Sequence, residues 1–317
     1  MRLASLSLVL SSALGALGAC GGGGSSMPDA PIAKDVGFNL PTKTLKANMD
    51  GSSGWMEIGD ADLSCLNTPS ADVATTVPVT LTTHVKDFQA GTIIPKANVT
   101  VFPGIDATQA FGAPVMSDTN GQVVLTIPAG QKRIGFKMAG GSSAADGSVT
   151  QLDTYLLFQI LDPTLAVQTS PDPIQSVSNT TAMLLPALIG ENRTPGTGVV
   201  AGALRDCQRH EISNFVATVS STSAMATPLA GADAYYFSPS AKVPVKHGTG
   251  SGQADAARED GLFVVLELPV TTTAYVQLWG FPTAADLAAG TLKLVSELKA
   301  PVIADTVITG SFEPLRQ

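Results

Sequence analysis

Charge is scarce in this 317-residue chain: Asp, Glu, Lys and Arg together make up 14% of it, and the balance is acidic, with a formal net charge of −8. An acidic surface repels phosphate backbones, which argues against nucleic acid as a partner, and it offers no basic patch to anionic lipid. Aromatic residues are sparse at 5%, and cysteine and histidine occur three times each. A zinc site needs ligands in matched pairs. Cys207 and His210 stand three apart, but no second pair has that spacing. The apolar run from Leu3 to Ala16 is too short to cross ~30 Å of hydrocarbon at 1.5 Å per residue.

What is plentiful is Val, Thr, Ala, Gly and Pro, within a hydrophobic share of 44%. β-Branched residues suit pleated strands, and Gly and Pro suit tight turns. The composition is that of a secreted all-β protein with enough apolar surface to exclude disorder throughout.

Residues 1–19 carry the address. Arg2 gives a basic start, Leu3 to Ala16 an apolar run, and Leu17-Gly18-Ala19-Cys20 closes it. This resembles the lipobox of bacterial lipoprotein signal peptides. The resemblance implies cleavage before Cys20, a thioether-linked diacylglycerol on its sulfur and a further acyl chain on its amine. Two or three chains anchor stably, at ~0.8 kcal/mol per buried methylene. Gly21 stands where Asp often retains lipoproteins at the inner membrane, so the resemblance points to the outer membrane. Residues 20–34, with Gly21 to Pro31 reading GGGGSSMPDAP, form a flexible linker. Eleven such residues have a reach of roughly 17–20 Å.

A lead-in segment, 35–76, holds Trp55, Met56 and Ile58. From Val77 the text becomes regular. Val79, Leu81, Thr83 and Val85 alternate with Thr80, Thr82, His84 and Lys86, the period of a half-buried strand. NVTVF (98–102), QVVLTI (122–127), RIGFKM (133–138) and YLLFQI (155–160) follow, punctuated by Gly and Pro as in a sandwich. The text then returns. Val85-Lys86-Asp87 matches Leu204-Arg205-Asp206, Val99-Thr100-Val101 matches Ala217-Thr218-Val219, and Asn120-Gly121 before VVLTIP matches Asp260-Gly261 before LFVVLELP. The second copy has one extra residue before its proline, which a β-bulge would absorb. Two sandwich domains are expected, 77–175 and 198–317, joined by a connector at 176–197. In the connector Ser178 caps a helix with Ala182, Leu185 and Ile189 on one side, ended by Gly190.

The run Asp118-x-x-Gly121-x-Val123-x-Leu125-x-Ile127-Pro128-Ala129-Gly130 is similar to carboxypeptidase regulatory-like domains, small sandwiches related to the transthyretin-like fold. Val85-Lys86-Asp87 and Gly202-Ala203-Leu204-Arg205-Asp206 resemble that family's opening strand. The resemblance implies an all-β fold of two tandem Ig-like/transthyretin-like sandwiches, and it brings no catalytic residue. Asn120-Gly121 reads as a two-residue hairpin turn.

Candidate chemistry is thin. His84 lies on the polar side of its strand. His247 precedes a glycine-rich loop that lacks G-x-S-x-G spacing, so no serine elbow forms. Asp118-x-Asn120-Gly121 resembles part of a calcium loop, but Met116 and Ile127 stand where acids belong. Cys65 and Cys207 form either one disulfide or two buried thiols. Trp279 and Phe281 form either an exposed platform for a glycan or part of the core. No metal and no cofactor is expected. The reading is a non-enzymatic, lipid-anchored envelope protein with a scaffold, adhesion or partner-binding role. Its partners are the membrane through the anchor and an envelope protein or glycan. A carbohydrate-binding lipoprotein is the alternative, and a hydrolase with an unrecognised site a further one.

Overall fold

A computed structural model describes residues 40–315 except 143, 145, 171 and 172. The expected signal peptide (1–19), the lipid-bearing Cys20 and the linker (20–34) lie outside the described residues. Strands dominate and two short helices interrupt them. The lead-in forms a hairpin, β1 (Lys46–Gly51) and β2 (Gly54–Asp60). The first half then supplies β3 (Val79–Asp87), β4 (Ala97–Pro103), β5 (Val115–Met116), β6 (Gln122–Ile127), β7 (Arg133–Gly140) and β8 (Thr154–Ile160). Two short strands, β9 (Val167–Thr169) and β10 (Ile174–Ser176), lead into helix α1 (Asn179–Ile189). The second half contributes β11 (Gly198–Leu204), β12 (Glu211–Ser213), β13 (Val216–Ser220), β14 (Asp233–Ser238) and β15 (Val243–Val245). It ends with β16 (Leu262–Leu268), β17 (Thr271–Gly280), helix α2 (Ala284–Ala289), β18 (Lys293–Val302) and β19 (Val307–Phe312).

The internal repeat is a repeat of topology. β3 pairs antiparallel with β6 and parallel with β10; β11 pairs antiparallel with β16 and parallel with β19. β4 lies against β7 as β13 lies against β17. Even the turn chemistry returns: Asp87 Oδ1 accepts the N–H groups of Gln89 and Ala90, and Asp206 Oδ1 those of Gln208 and His210. The extra residue of the second copy sits in a bulge, where the pairing of β11 jumps from Val265 to Leu268 and Glu267 takes φ +56°.

The fold is all-β, two tandem sandwiches with a short helical connector, and the two sandwiches share a sheet. Parallel pairing of β8 with β19, Thr154 opposite Val307 through Leu157 opposite Gly310, fuses their sheets into nine strands in the order β15-β14-β16-β11-β19-β8-β7-β4-β5. On one face, β3 and β6 close a core with Val85, Leu125, Phe136 and Met138. On the opposite face, β13, β17 and β18 close a second core that includes Tyr155, Leu157, Phe263 and Ile308. The sandwiches therefore stand on opposite faces of one sheet. The rest of the first face, with Val199, Tyr235, Val264 and Val307, belongs to a third core to which Ile189 of α1 also belongs.

The expected hairpin turn needs correction. Gly121, at φ +70°, is the residue in left-handed conformation at its turn; Asn120 is not. The turn closes by Gly121 N–H donating to Asp118 O, with Asp118 Oδ1 accepting from Asn120 and Gln122. It connects strands of opposing sheets rather than forming a two-residue hairpin, since β5 pairs with β4. Helix α1 has the expected caps, Ser178 accepting from Thr181 N–H and Gly190 at φ +86°. Ala182, Pro186 and Ile189 are buried, and the half-buried Leu185 lines the same apolar pocket against the sheet, so the expected side is the inward one, with Pro186 added to it. Pro186 lacks the N–H that an interior position donates.

Candidate functional site

A groove of about 640 Å³ opens in the angle between β9–β10 and the ends of β11 and β19. Both short strands pair with β3, β9 along Thr80 to Thr82 and β10 along Val85 to Asp87. Leu81, Phe136, Leu161 and Ile174 give the groove apolar lining, while Arg205 and Arg209 line it beside the second sandwich. The volume is in the range of small-ligand or peptide side-chain sites.

Arg133 builds one wall. Its Nε donates to Asp72 Oδ2 at 2.7 Å, Nη2 to Glu313 Oε2 at 2.8 Å and Nη1 to Phe158 O at 3.1 Å. Its guanidinium lies 4.5 Å over the Phe158 ring. Burial disfavours this charge, but the two carboxylates outweigh it and hold Arg133 even more firmly protonated than usual. The network joins the lead-in, β7 and the C-terminal end of β19.

The disulfide lies beside the same groove. Cys65 and Cys207 are bonded, with Sγ atoms 1.99 Å and Cα atoms 5.8 Å apart. Asp62 supports the junction: its carbonyl accepts from Cys207 N–H, and its carboxylate, accepting from Gln208 Nε2 and Ser64 N–H, is held below its usual pKa. The disulfide removes Cys207 as a thiolate ligand. His210 instead places Nδ1 3.4 Å from Asp206 Oδ2.

The remaining histidines are dispersed. His84 is half-buried on β3, on the side opposite the core. His247 lies between two carboxylates, Nε2 3.1 Å from Asp233 and Nδ1 3.6 Å from Asp255, with its ring 4.6 Å from that of Tyr235. The Asp233 hydrogen bond raises the His247 pKa against the opposing effect of burial. The glycine-rich loop folds inward on its own side chains: Gly248 N–H donates to Asp255 and Gly250 N–H to Gln253. The cluster forms where the β14–β15 hairpin brings His247 back beside Asp233 and the glycine-rich loop folds Asp255 onto it, a convergence that residue spacing alone does not show. Among the described residues no group of three His, Cys, Asp or Glu side chains converges as a metal-ligand set.

Trp279 and Phe281, one candidate for a glycan platform, are 6% and 1% exposed. The lead-in covers this end of β17: Leu45 N–H donates to Phe281 O, and the Leu45 side chain fills the space beside Gly280. Both aromatics belong to the second core, and the platform reading is withdrawn.

No family model and no curated protein matches the sequence. Among solved structures the chain is similar to the TIE protein of Bacillus anthracis, at a TM-score of 0.24 and 12% identity over 74% of this chain and 33% of that one. It is also similar to the shaft pilin SpaA of Lactobacillus rhamnosus GG, at a TM-score of 0.21 and 9% identity over 76% and 98% of the two chains. A streptococcal ancillary pilin gives a TM-score of 0.21 and 15% identity over 76% and 63%. This chain thus spans about a third of the TIE protein. The architecture described above rests on strand order and register.

The groove is lined by the hydroxyl residues Thr83, Thr169, Ser170 and Ser311 and by the acids Asp162, Asp206 and Glu313. Apolar walls, a charged rim and hydroxyl lining suit binding. Among the described residues no helix is long and apolar enough to cross a membrane.

Proposed function

We propose that this chain is a non-enzymatic, lipid-anchored protein of the cell envelope, held by acyl chains on Cys20 at the outer membrane. Its two sandwich units, 77–175 and 198–317, act as one scaffold that binds an envelope partner in the groove between them. We place both units with the carboxypeptidase regulatory-like modules, on the Asp118 to Gly130 motif and the repeated pairing of β3·β6 and β11·β16. The observation that carries the binding role is the shared sheet. It fixes the two sandwiches on opposite faces, so the groove is built into the fold and costs little ordering on binding. The disulfide and the Arg133 network fasten its edges.

Two measurements test this reading. Mass analysis of the N-terminal peptide from the native membrane should find Cys20 as the first residue, carrying diacylglycerol; an uncleaved or unmodified Cys20 would remove the anchor. A photo-crosslinker at Gln175, which lines the groove, should capture the same partner in the acylated protein and in a Cys20→Ser form. A crosslinker at Met225, exposed after β13 and outside the groove lining, should not. Equal capture at both positions would remove the groove.

A further inference from the structure

Helix α1 is capped at both ends and buries Ala182, Pro186 and Ile189, yet its outward stripe carries no charge and three large apolar side chains. Asn179, Thr180, Met183, Leu184, Ala187 and Leu188 all face out, and Met183, Leu184 and Leu188 are 69%, 57% and 56% exposed. No charged residue occurs from Ser178 to Gly190. Val149 extends the patch: it is 63% exposed, and its neighbour Thr150 accepts a hydrogen bond from Asn179 N–H at the start of the helix. Charge stands at the edges of the patch: Lys246 Nζ lies 3.7 Å from where a Cβ on Gly190 would be, and Asp146 and Asp153 flank Val149 in the sequence. Large apolar side chains clustered on the outward face of a helix mark a contact surface.

We propose that the outward face of α1 docks onto the bilayer that carries the anchor. This rests on the lipid-anchor reading above. Two observations select lipid. The face carries flexible aliphatic chains, which gain from entering hydrocarbon without a shaped partner to receive them. In a chain of net charge −8 it is also a stretch with no charge for lipid phosphates to repel. Twenty residues separate Cys20 from Leu40, and they span at most ~70 Å. That length exceeds the radius of gyration of ~19 Å expected for a domain of this many residues. With no basic residue and only four large aliphatic side chains, the face binds weakly by itself. Tethering raises its effective concentration at the surface, so docking depends on the anchor.

The test uses the mature chain, 20–317, with Cys20→Ser and an N-terminal hexahistidine, bound to vesicles of phosphatidylethanolamine, phosphatidylglycerol and nickel-chelating lipid. An environment-sensitive fluorophore is placed at Leu184→Cys, or at Val124→Cys, a half-exposed position on β6. The probe at 184 should shift to the blue and be quenched at least fivefold more by spin-labelled lipid than the probe at 124. Adding Met183→Asp and Leu188→Asp, both outside the core, should abolish the difference while leaving the thermal transition in place. Equal responses at 184 and 124 would overturn the proposal. So would a shift at 184 that grows with protein concentration without vesicles, since that signals a second copy on this face. Because the chelating lipid replaces the acyl chains, failure of Cys20 acylation is read separately, by the mass of the native N-terminal peptide.

Discussion

Asp260 gives the sharpest test of the repeat. It occupies the place of Asn120 before the turn glycine, but Asn120 is exposed and Asp260 is 3% exposed. Its Oδ1 accepts from Leu262 N–H at 3.2 Å, and its Oδ2 is buried with no hydrogen-bond partner. Burial pushes its pKa up to about 7 from 3.8. A carboxyl raised in the folded state binds its proton more tightly there than when unfolded, so stability falls as pH rises between the two values. Integrated from pH 5 to pH 8, that difference removes roughly 2–3 kcal/mol of stability. Asp260→Asn restores the dipeptide of the first copy and has nothing to ionise. Urea denaturation at pH 5 and pH 8 should show the variant's advantage over wild type growing by about 2 kcal/mol across that interval. A constant difference would refute the assignment of a buried, strained carboxylate. A variant less stable at both pH values would show that the charge is compensated.

Other perturbations test the ties and turns. Arg133→Met takes the cation from between Asp72 and Glu313, in a site where Arg133 and Asp72 side chains are 5% and 8% exposed; calorimetry should record a loss of about 3–5 kcal/mol. Gly121→Ala and Gly261→Ala each force a side chain into left-handed backbone, with the new Cβ 2.9 Å from Val85 O and 3.0 Å from Ile212 O respectively. Each should cost about 1–3 kcal/mol by denaturation, and a neutral result at either site would break the equivalence of the turns. Reducing the Cys65–Cys207 bond opens a loop with a sequence separation of 142; chain entropy assigns it ~5 kcal/mol, measured as the drop in denaturation midpoint with reductant. The charged form of His247, favoured by Asp233, contributes stability below its unfolded pKa that is lost as pH rises through the higher folded value. His247→Gln in the Asp260→Asn background should therefore flatten the remaining decline above pH 6, and an unchanged slope would count against the Asp233 contact.

How much of this was legible depended on whether a strand has one wet face. β3 and β6 alternate cleanly because one side packs and the other meets solvent, so Val79 to Asp87 and Gln122 to Ile127 could be read directly. β13 is buried at all five positions, and β14 is buried from Ala234 to Phe237, so period-two reading has nothing to work on there. The same physics misled the reading of Trp279 and Phe281. Exposure on one side of β17 is a fair expectation for a sandwich, but Leu45, far upstream, closes that end. The parallel pairing of β8 with β19 has no local signature, because its partners lie about 150 residues apart and no turn joins them. The groove depends on that pairing and was invisible for the same reason.

The pairing also explains why the connector is a helix. Each sandwich alone would leave an edge, β8 in one and β19 in the other, whose free N–H and C=O groups invite association with another chain. Joining these edges within one molecule satisfies both. Because the sandwiches then stand on opposite faces, the shared sheet has a half-face around Tyr235, Val264 and Val307 that neither partner sheet covers. The segment between the repeats crosses to that half-face, and α1 places Ala182, Pro186 and Ile189 toward it. An inward stripe of this kind accounts for half of the helix's apolar character. Met183, Leu184 and Leu188 point the other way, and packing against the sheet gives no reason for them. Packing on the sheet therefore accounts for the inward side of α1 and leaves Met183, Leu184 and Leu188 without a partner among the described residues.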